Sequence, residues 1–276
     1  MATIPLEDTF TDIIGKARRG LKLTDDAQLA AKAGVSAEDV AKVAGGAVDE
    51  DVLRKLAEVL ALGQQTLVDA ANKKYFPPPQ NLEGLQQFNT PFEDITVNAY
   101  LVWDPKTREA VAFDTGATCQ PMLDFARRNN LSIKLILLTH THGDHIADLA
   151  KLTTETRAKA YVGELEPSTG AAPFPEGHQF KTGNLKIDTR LTTGHCVGGI
   201  TYVVSGLARP VAVVGDAVFA GSMGGGIVSY SDALANNRKK IFTLPDNTII
   251  CPGHGPLTTV GDEKRHNPFY PEFQKQ

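Results

Sequence analysis

Residues 139–145 read Thr-His-Thr-His-Gly-Asp-His and follow the apolar run Leu135-Ile136-Leu137-Leu138. His140 and His142 stand two apart, so a chain still extended at the end of a strand projects both rings to one side, where they can share a cation. Asp144 and His145 come as the chain turns into a helix and can reach a second position beside the first. Imidazole and carboxylate are ligands that suit zinc, manganese or iron. The plain alternative is a polar loop of solvated histidines. Three further segments weigh against it: His195 in Thr193-Gly194-His195-Cys196, Asp216 after Val211-Ala212-Val213-Val214-Gly215, and His254 in Pro252-Gly253-His254-Gly255. Each is a polar residue beside glycine at or just beyond an expected strand, where binding groups concentrate. Five of the seven histidines thus join one constellation, which leaves His178 and His266 as surface residues.

The elements that must hold these residues change character along the chain. Three prolines in Tyr75-Phe76-Pro77-Pro78-Pro79 stop helix continuation and favour an extended linker, so a domain boundary is placed there, with domains at 1–76 and 77–276. Before it, apolar residues recur at helical spacing, as in Leu53, Leu56, Ala57 and Leu60. Helix starts are expected at Thr24, which precedes Asp25-Asp26, at Ser36, three before Asp39, and at Asp49, which introduces Val52-Leu53. After the prolines, strands are predicted over 95–103, 110–114, 133–139, 185–189, 200–204, 211–215 and 248–251, and helices over 120–129 and 230–242. This is an α/β domain preceded by a small all-α one.

The 276-residue chain is long enough to bury a sizeable core without disulfides. Its 28 basic and 32 acidic residues leave a net charge of −4, with no basic surplus to mark a nucleic-acid binder. Apolar runs such as 135–138 and 211–214 are far shorter than the roughly 18 residues of a membrane span. The first residues, MATIPLEDTF, carry acids where a secretory signal needs a basic region, and the three cysteines, Cys119, Cys196 and Cys251, are too scattered for a disulfide framework. The expectation is a cytoplasmic protein with no membrane partner.

From about Phe88 to Phe269 the chain resembles the metallo-β-lactamase-fold superfamily, and within it the glyoxalase II-like hydrolases. The motifs occur in the family's order: Asn98-Ala99-Tyr100-Leu101, Asp114-Thr115-Gly116, the H-x-H-x-D-H segment, Gly194-His195, Gly215-Asp216 and Pro252-Gly253-His254-Gly255, with a glyoxalase-like tail from Gly261 to Phe269. The resemblance implies an αββα sandwich with metals at one edge between two sheets. It implies one metal held by His140, His142 and His195, a second by Asp144, His145 and His254, and Asp216 bridging both. Two divalent ions about 3.5–4 Å apart lower the pKa of a shared water to near 7, so the expected cofactors are two divalent metals, zinc first and iron or manganese otherwise. Asp144 is read as a ligand, with proton handling for the leaving group as a second role. Asp114 is read either as orienting a ligand histidine or as an ordinary turn residue.

Departures from the family narrow the substrate. The Gly-Arg-x-Asp segment common after the bridging Asp is replaced by Gly221-Ser222-Met223-Gly224-Gly225-Gly226, and the chain ends seven residues after Phe269, without the helical extension that binds glutathione in glyoxalase II. Cys196, where relatives usually carry Thr, is read as a small packed side chain. Asp216 stands where cysteine-containing β-lactamases of this fold supply a thiolate, which argues against β-lactamase activity. Residues 21–67 resemble a phage-repressor helix-turn-helix, yet 24–51 hold seven acids against Lys32 and Lys42. Cations that neutralise phosphates are missing, so packing, dimerisation into a homodimer or a wall of the active-site cleft is expected there instead of DNA binding. The function expected is hydrolysis of a small-molecule thioester, ester or lactone by a dinuclear metal enzyme. The alternatives are a mononuclear iron persulfide dioxygenase and, in another class, a metal-bound ligand sensor or DNA-binding regulator.

Overall fold

A computed structural model describes residues 3–274. Five helices come first: α1 Phe10–Gly20, α2 Asp26–Ala33, α3 Ala37–Ala44, α4 Glu50–Val59 and α5 Gln64–Ala71. Their starts follow from local chemistry. Ser36 and Asp39 form a capping box on α3, and Asp49 accepts the Val52 amide at 3.1 Å to open α4. The cap of α2 is Asp25, which accepts the Gln28 amide at 2.7 Å, one residue later than the expected Thr24. Residues 74–82 form neither helix nor strand.

Two six-stranded sheets follow. The first comprises β1 Leu85–Phe92, β2 Ile95–Trp103, β3 Glu109–Phe113, β4 Ser132–Leu137, β5 Lys159–Gly163 and β6 Ala172–Phe174, in spatial order β1 to β6. The second comprises β7 Gln179–Thr182, β8 Leu185–Leu191, β9 Ile200–Ser205, β10 Val211–Gly215, β11 Ile249–Pro252 and β12 Thr258–Thr259, in order β12 to β7. The remaining helices are α6 Gln120–Arg128, α7 Gly143–Ile146, α8 Leu149–Thr156, α9 Tyr230–Asn236 and α10 Val260–His266. The segment expected as one helix over 230–242 divides, because α9 passes into a π-helical turn at Asn237–Ile241.

The strands' two-residue periodicity sorts side chains into layers. Tyr100, Val102, Val111 and Phe113 of the first sheet meet Tyr202, Val211, Val213 and Ile249 of the second in the central core. Ala99, Leu101 and Ala112 face the other way, against Met122, Leu123 and Leu152 of α6 and α8. On the far side, Ala212, Val214 and Ile250 pack in one cluster with Ile13, Leu53, Leu56 and Leu67. The result is an αββα sandwich whose outer helix layer on the second sheet includes the N-terminal helices. His178 is exposed as expected, whereas His266 is half-buried and stacks on Tyr75 with ring centroids 4.5 Å apart.

Candidate metal centre

Strand ends bring the polar residues together. β4 stops at Leu137, and the chain runs through Thr139 and His140 to His142, the residue before α7. His195 lies between β8 and β9, Asp216 follows β10, and His254 follows β11, which pairs in parallel with β10. The parallel pairing sets Asp216 and His254 side by side. Gly253 permits this closeness, since a Cβ there would lie 2.0 Å from Asp216 Oδ1 and 2.8 Å from His145 Cε1.

All seven expected ligands converge. His140, His142, His195 and Asp216 form one group and Asp144, His145 and His254 another, with the ligand atoms within each group lying within 4.8 Å of one another. His142 Nδ1 is 3.1 Å from Nε2 of His140 and 3.1 Å from Nε2 of His195. Asp216 reaches both groups: Oδ2 lies 3.3 Å from His195 Nε2 and 3.5 Å from His254 Nε2, and Oδ1 lies 3.4 Å from His145 Nε2. Asp144 Oδ2 is 3.4 Å from His254 Nε2 and 3.6 Å from His145 Nε2.

These spacings suit cations better than the residues alone. Two ligand atoms about 2.0–2.1 Å from one tetrahedral ion lie about 3.4 Å apart, the scale seen in both groups. His145 Nε2 and Asp216 Oδ1 are buried without any hydrogen-bond partner, a costly arrangement unless something positive sits between them. The opposite ring nitrogens are already engaged. His140 Nδ1 pairs with Thr139 Oγ1 at 3.0 Å, His145 Nδ1 donates to Asp114 at 2.8 Å, His195 Nδ1 donates to Gly225 O at 3.0 Å and His254 Nδ1 donates to Thr96 O at 2.7 Å. Each bond selects the tautomer that leaves Nε2 free to ligate. The donor set therefore fits two divalent ions.

Electrostatics run the same way. Burial drives His140 and His195 toward the neutral form a metal needs. Burial also opposes charge on His145 and His254, but Asp216 and Asp114 carry the first up to about 10, and Asp144 and Asp216 carry the second up to about 11. Asp216, although desolvated, is held well below the usual carboxylate range by His145 and His254. A pocket this rich in carboxylate demands positive charge.

Two supporting residues differ in how legible they are. Asp114, which sits at a turn with a left-handed φ of +56°, is the partner of His145 and also accepts the Thr139 amide and hydroxyl, each at 2.7 Å. Glu166 lies in the loop after β5, with no motif around it to mark it in the sequence. Its carboxylate accepts the Thr141 hydroxyl at 2.6 Å and the Gly198 amide at 3.0 Å, which ties the His140–His142 segment to the His195 turn. Cys196 is buried, and burial pushes its thiol above the usual range, as a packed side chain requires.

The N-terminal region reaches this edge of the sandwich. Lys16 of α1 pairs with Asp8 and donates to Met223 O at 2.8 Å. The Lys16 ammonium also sits 5.0 Å from the centre of the Phe219 ring, which packs edge-on against His254.

The sequence profile of the metallo-beta-lactamase superfamily matches residues 93–254, and the chain belongs to that superfamily. Together with the ligand cluster this defines a metal-dependent hydrolase whose substrate the fold alone does not name. The hydroxyacylglutathione hydrolase GloC of Haemophilus influenzae is 27% identical over 197 residues, 62% of this chain and 92% of that one. A crystal structure of the BLEG-1 B3 metallo-beta-lactamase is 28% identical with a TM-score of 0.59, covering 67% of this chain and 99% of that one. The structure of TTHA1623 in a di-iron-bound form is 26% identical with a TM-score of 0.54, covering 66% and 99%.

Proposed function

We propose that the protein hydrolyses a small thioester, ester or lactone at a dinuclear centre, with zinc as the first candidate metal and iron or manganese as alternatives. The observation that carries this reading is the second ligand group, Asp144, His145 and His254, set beside the first with Asp216 within reach of both. Two divalent ions there would supply a hydroxide nucleophile at neutral pH and polarise a carbonyl. The chain's own contribution is orientation: Asp114, Thr139, Gly225 O and Thr96 O fix four rings, and Glu166 braces the two loops that carry His142 and His195. Asp144 Oδ2 faces the second ligand group, which supports a ligand role ahead of proton transfer to the leaving group.

The complete second group favours hydrolysis over a mononuclear iron dioxygenase. For the N-terminal helices, their burial against the second sheet and the acids of 24–51 support a role in the wall of the cleft and argue against DNA binding, although their spacing is helix-turn-helix-like. No helix among the described residues is long and apolar enough to cross a membrane. Three buried free thiols suit the reducing cytoplasm, where we place the protein. The test is a screen of carbonyl esters, thioesters and lactones with the metal-loaded protein and with His142→Ala. Turnover that His142→Ala abolishes supports the reading. Absence of any turnover, or turnover indifferent to His142→Ala, sinks it.

A further inference from the structure

The loop 219–226, Phe-Ala-Gly-Ser-Met-Gly-Gly-Gly, follows Asp216 and carries no charged side chain, yet it backs the metal centre directly. Gly225 O receives the His195 Nδ1 proton. A Cβ on Gly224 would lie 1.9 Å from the carbonyl oxygen of Asp216 and 3.1 Å from His195 Nδ1. Phe219 stands T-shaped to His254, with 5.6 Å between ring centres. This one loop therefore touches a histidine of each ligand group and the main chain of the aspartate between them.

An acid and a cation reach the loop from the other end of the chain. Asp8 accepts the Ser222 hydroxyl at 2.5 Å, Lys16 donates to Met223 O at 2.8 Å, and the two pair with each other. Met223 O takes a hydrogen bond from Lys16 alone among the described residues. The Lys16 ammonium also stands 5.0 Å from the centre of the Phe219 ring. One residue before Asp8, the amide nitrogen of Glu7 lies where a Cβ on Gly255 would meet it at 3.3 Å, so the same segment is seated on the turn after His254. Stability alone does not account for such a pair. Its side chains are 8% and 13% exposed, and a buried ion pair loses in desolvation about what it gains in attraction, so apolar residues of like volume would hold α1 about as well. What the charges add is geometry, because each holds a different atom of the loop, and displacing either leaves a buried charge unpaired. From α10, Glu263 and Asn267 hold only Gly221 N and Ser222 O, which leaves the stretch toward Gly225 to Lys16.

We propose that Asp8 and Lys16 are positioning residues of the metal centre: their pair clamps the loop 219–225 so that Gly225 O and the Phe219 ring keep His195 and His254 in ligating geometry. This rests on the two-ion part of the reading above and not on the substrate. It makes the helical region that precedes the superfamily domain a working part of the metal site.

Two measurements on the full-length protein test it, with thermal melting to confirm that each variant is folded. Asp8→Asn combined with Lys16→Met removes both charges together, so that neither is left buried alone. In the first measurement cobalt(II) is the probe, its visible absorption reporting ligand geometry and chelator competition its affinity. The double variant should bind cobalt at least about tenfold more weakly than wild type, with altered visible bands. Ser222→Ala, which removes only the hydroxyl held by Asp8, should move both readouts the same way by a smaller factor, and it decides the question if the double variant does not fold. Leu56→Ala, which removes core packing from α4 and leaves the pair in place, should keep wild-type affinity and bands. In the second, hydrogen exchange is followed in metal-free protein at the Phe219 and Ser222 amides, which bond each other's carbonyls at 3.0 and 3.1 Å. It should quicken at least about tenfold in the double variant. Wild-type cobalt binding in both the double variant and Ser222→Ala would overturn the clamp and leave the hydrolase reading intact, even if exchange quickens, because the loop would then move without the metals feeling it. An equal loss of affinity in Leu56→Ala would overturn it too. If cobalt binding responds as expected but no ester, thioester or lactone is turned over, the hydrolase reading fails and the clamp stands. A wild type that binds no cobalt would overturn both.

Discussion

Nδ1 of His145 donates to Oδ2 of Asp114 at 2.8 Å, and both side chains are buried. The same carboxylate oxygen accepts the hydroxyl proton of Thr139, whose oxygen pairs with Nδ1 of His140. One carboxylate just beyond β3 therefore orients a histidine of each ligand group, directly in one case and through a hydroxyl in the other.

Asp114→Ala should consequently weaken both groups, the one containing His145 more. Supporting residues of this kind are worth about 10–100-fold in metal affinity. Chelator competition should show the more weakly held ion lost at about that factor, with turnover falling in parallel. Unchanged affinity for both ions would mean that His145 keeps its orientation without Asp114.

Glu263 of α10 gives a pH dependence remote from the metals. It is fully buried, and burial pushes its carboxyl from 4.5 up to about 7, against bonds from Thr258 Oγ1 at 2.8 Å, Asn267 Nδ2 at 2.8 Å, the Gly221 amide at 2.9 Å and the Tyr75 hydroxyl at 3.1 Å. With the folded pKa above the unfolded one, the folded state binds more protons between these values. Its stabilising contribution is complete below about 4.5 and disappears as pH rises through about 7. Denaturant unfolding across that window should show wild type losing stability, on the order of 3 kcal/mol at most, relative to Glu263→Gln. Parallel pH profiles for the two proteins would rule this out.

The shared core of helices and second sheet predicts cooperative unfolding. Leu56 is fully buried in the cluster that contains Val214 and Ile250. Leu56→Ala should cost about 2–5 kcal/mol. Fluorescence of Trp103, in the opposite outer layer, should report the same urea midpoint as far-UV circular dichroism. Separate midpoints for the helices and the sandwich would contradict a common core.

The sequence is most legible where one chemical pattern dominates. β10 matches its predicted span because it is an apolar run ending in glycine, and β2 matches although Thr96 and Asn98 interrupt its apolar residues, while the seven expected ligands stand out in the sequence because the H-x-H-x-D-H segment follows an apolar run and His195, Asp216 and His254 each stand beside glycine at or beyond a strand, poorly placed for packing and well placed for binding. β1 is missing from the predicted strands since Gln86, Gln87, Asn89 and Pro91 interrupt its apolar pattern, as an edge strand allows. β6 has three residues, one of them Pro173, and pairs only with β5. The role of Glu166 depends on where a loop folds back, a tertiary relation with no local signature.

The central claim, two ions sharing Asp216, is tested most directly by counting metal per chain in wild type and in Asp216→Asn. The substitution keeps the side-chain volume but removes the negative charge lying between the two ligand groups, so each dication would feel its neighbour with less compensation. Wild type should hold two divalent ions. Asp216→Asn should fall below that, losing the ion of Asp144, His145 and His254 first, with turnover reduced at least about a hundredfold. Two ions retained with near-normal hydrolysis in Asp216→Asn, or a single iron in wild type with oxygen uptake on a persulfide, would contradict the claim.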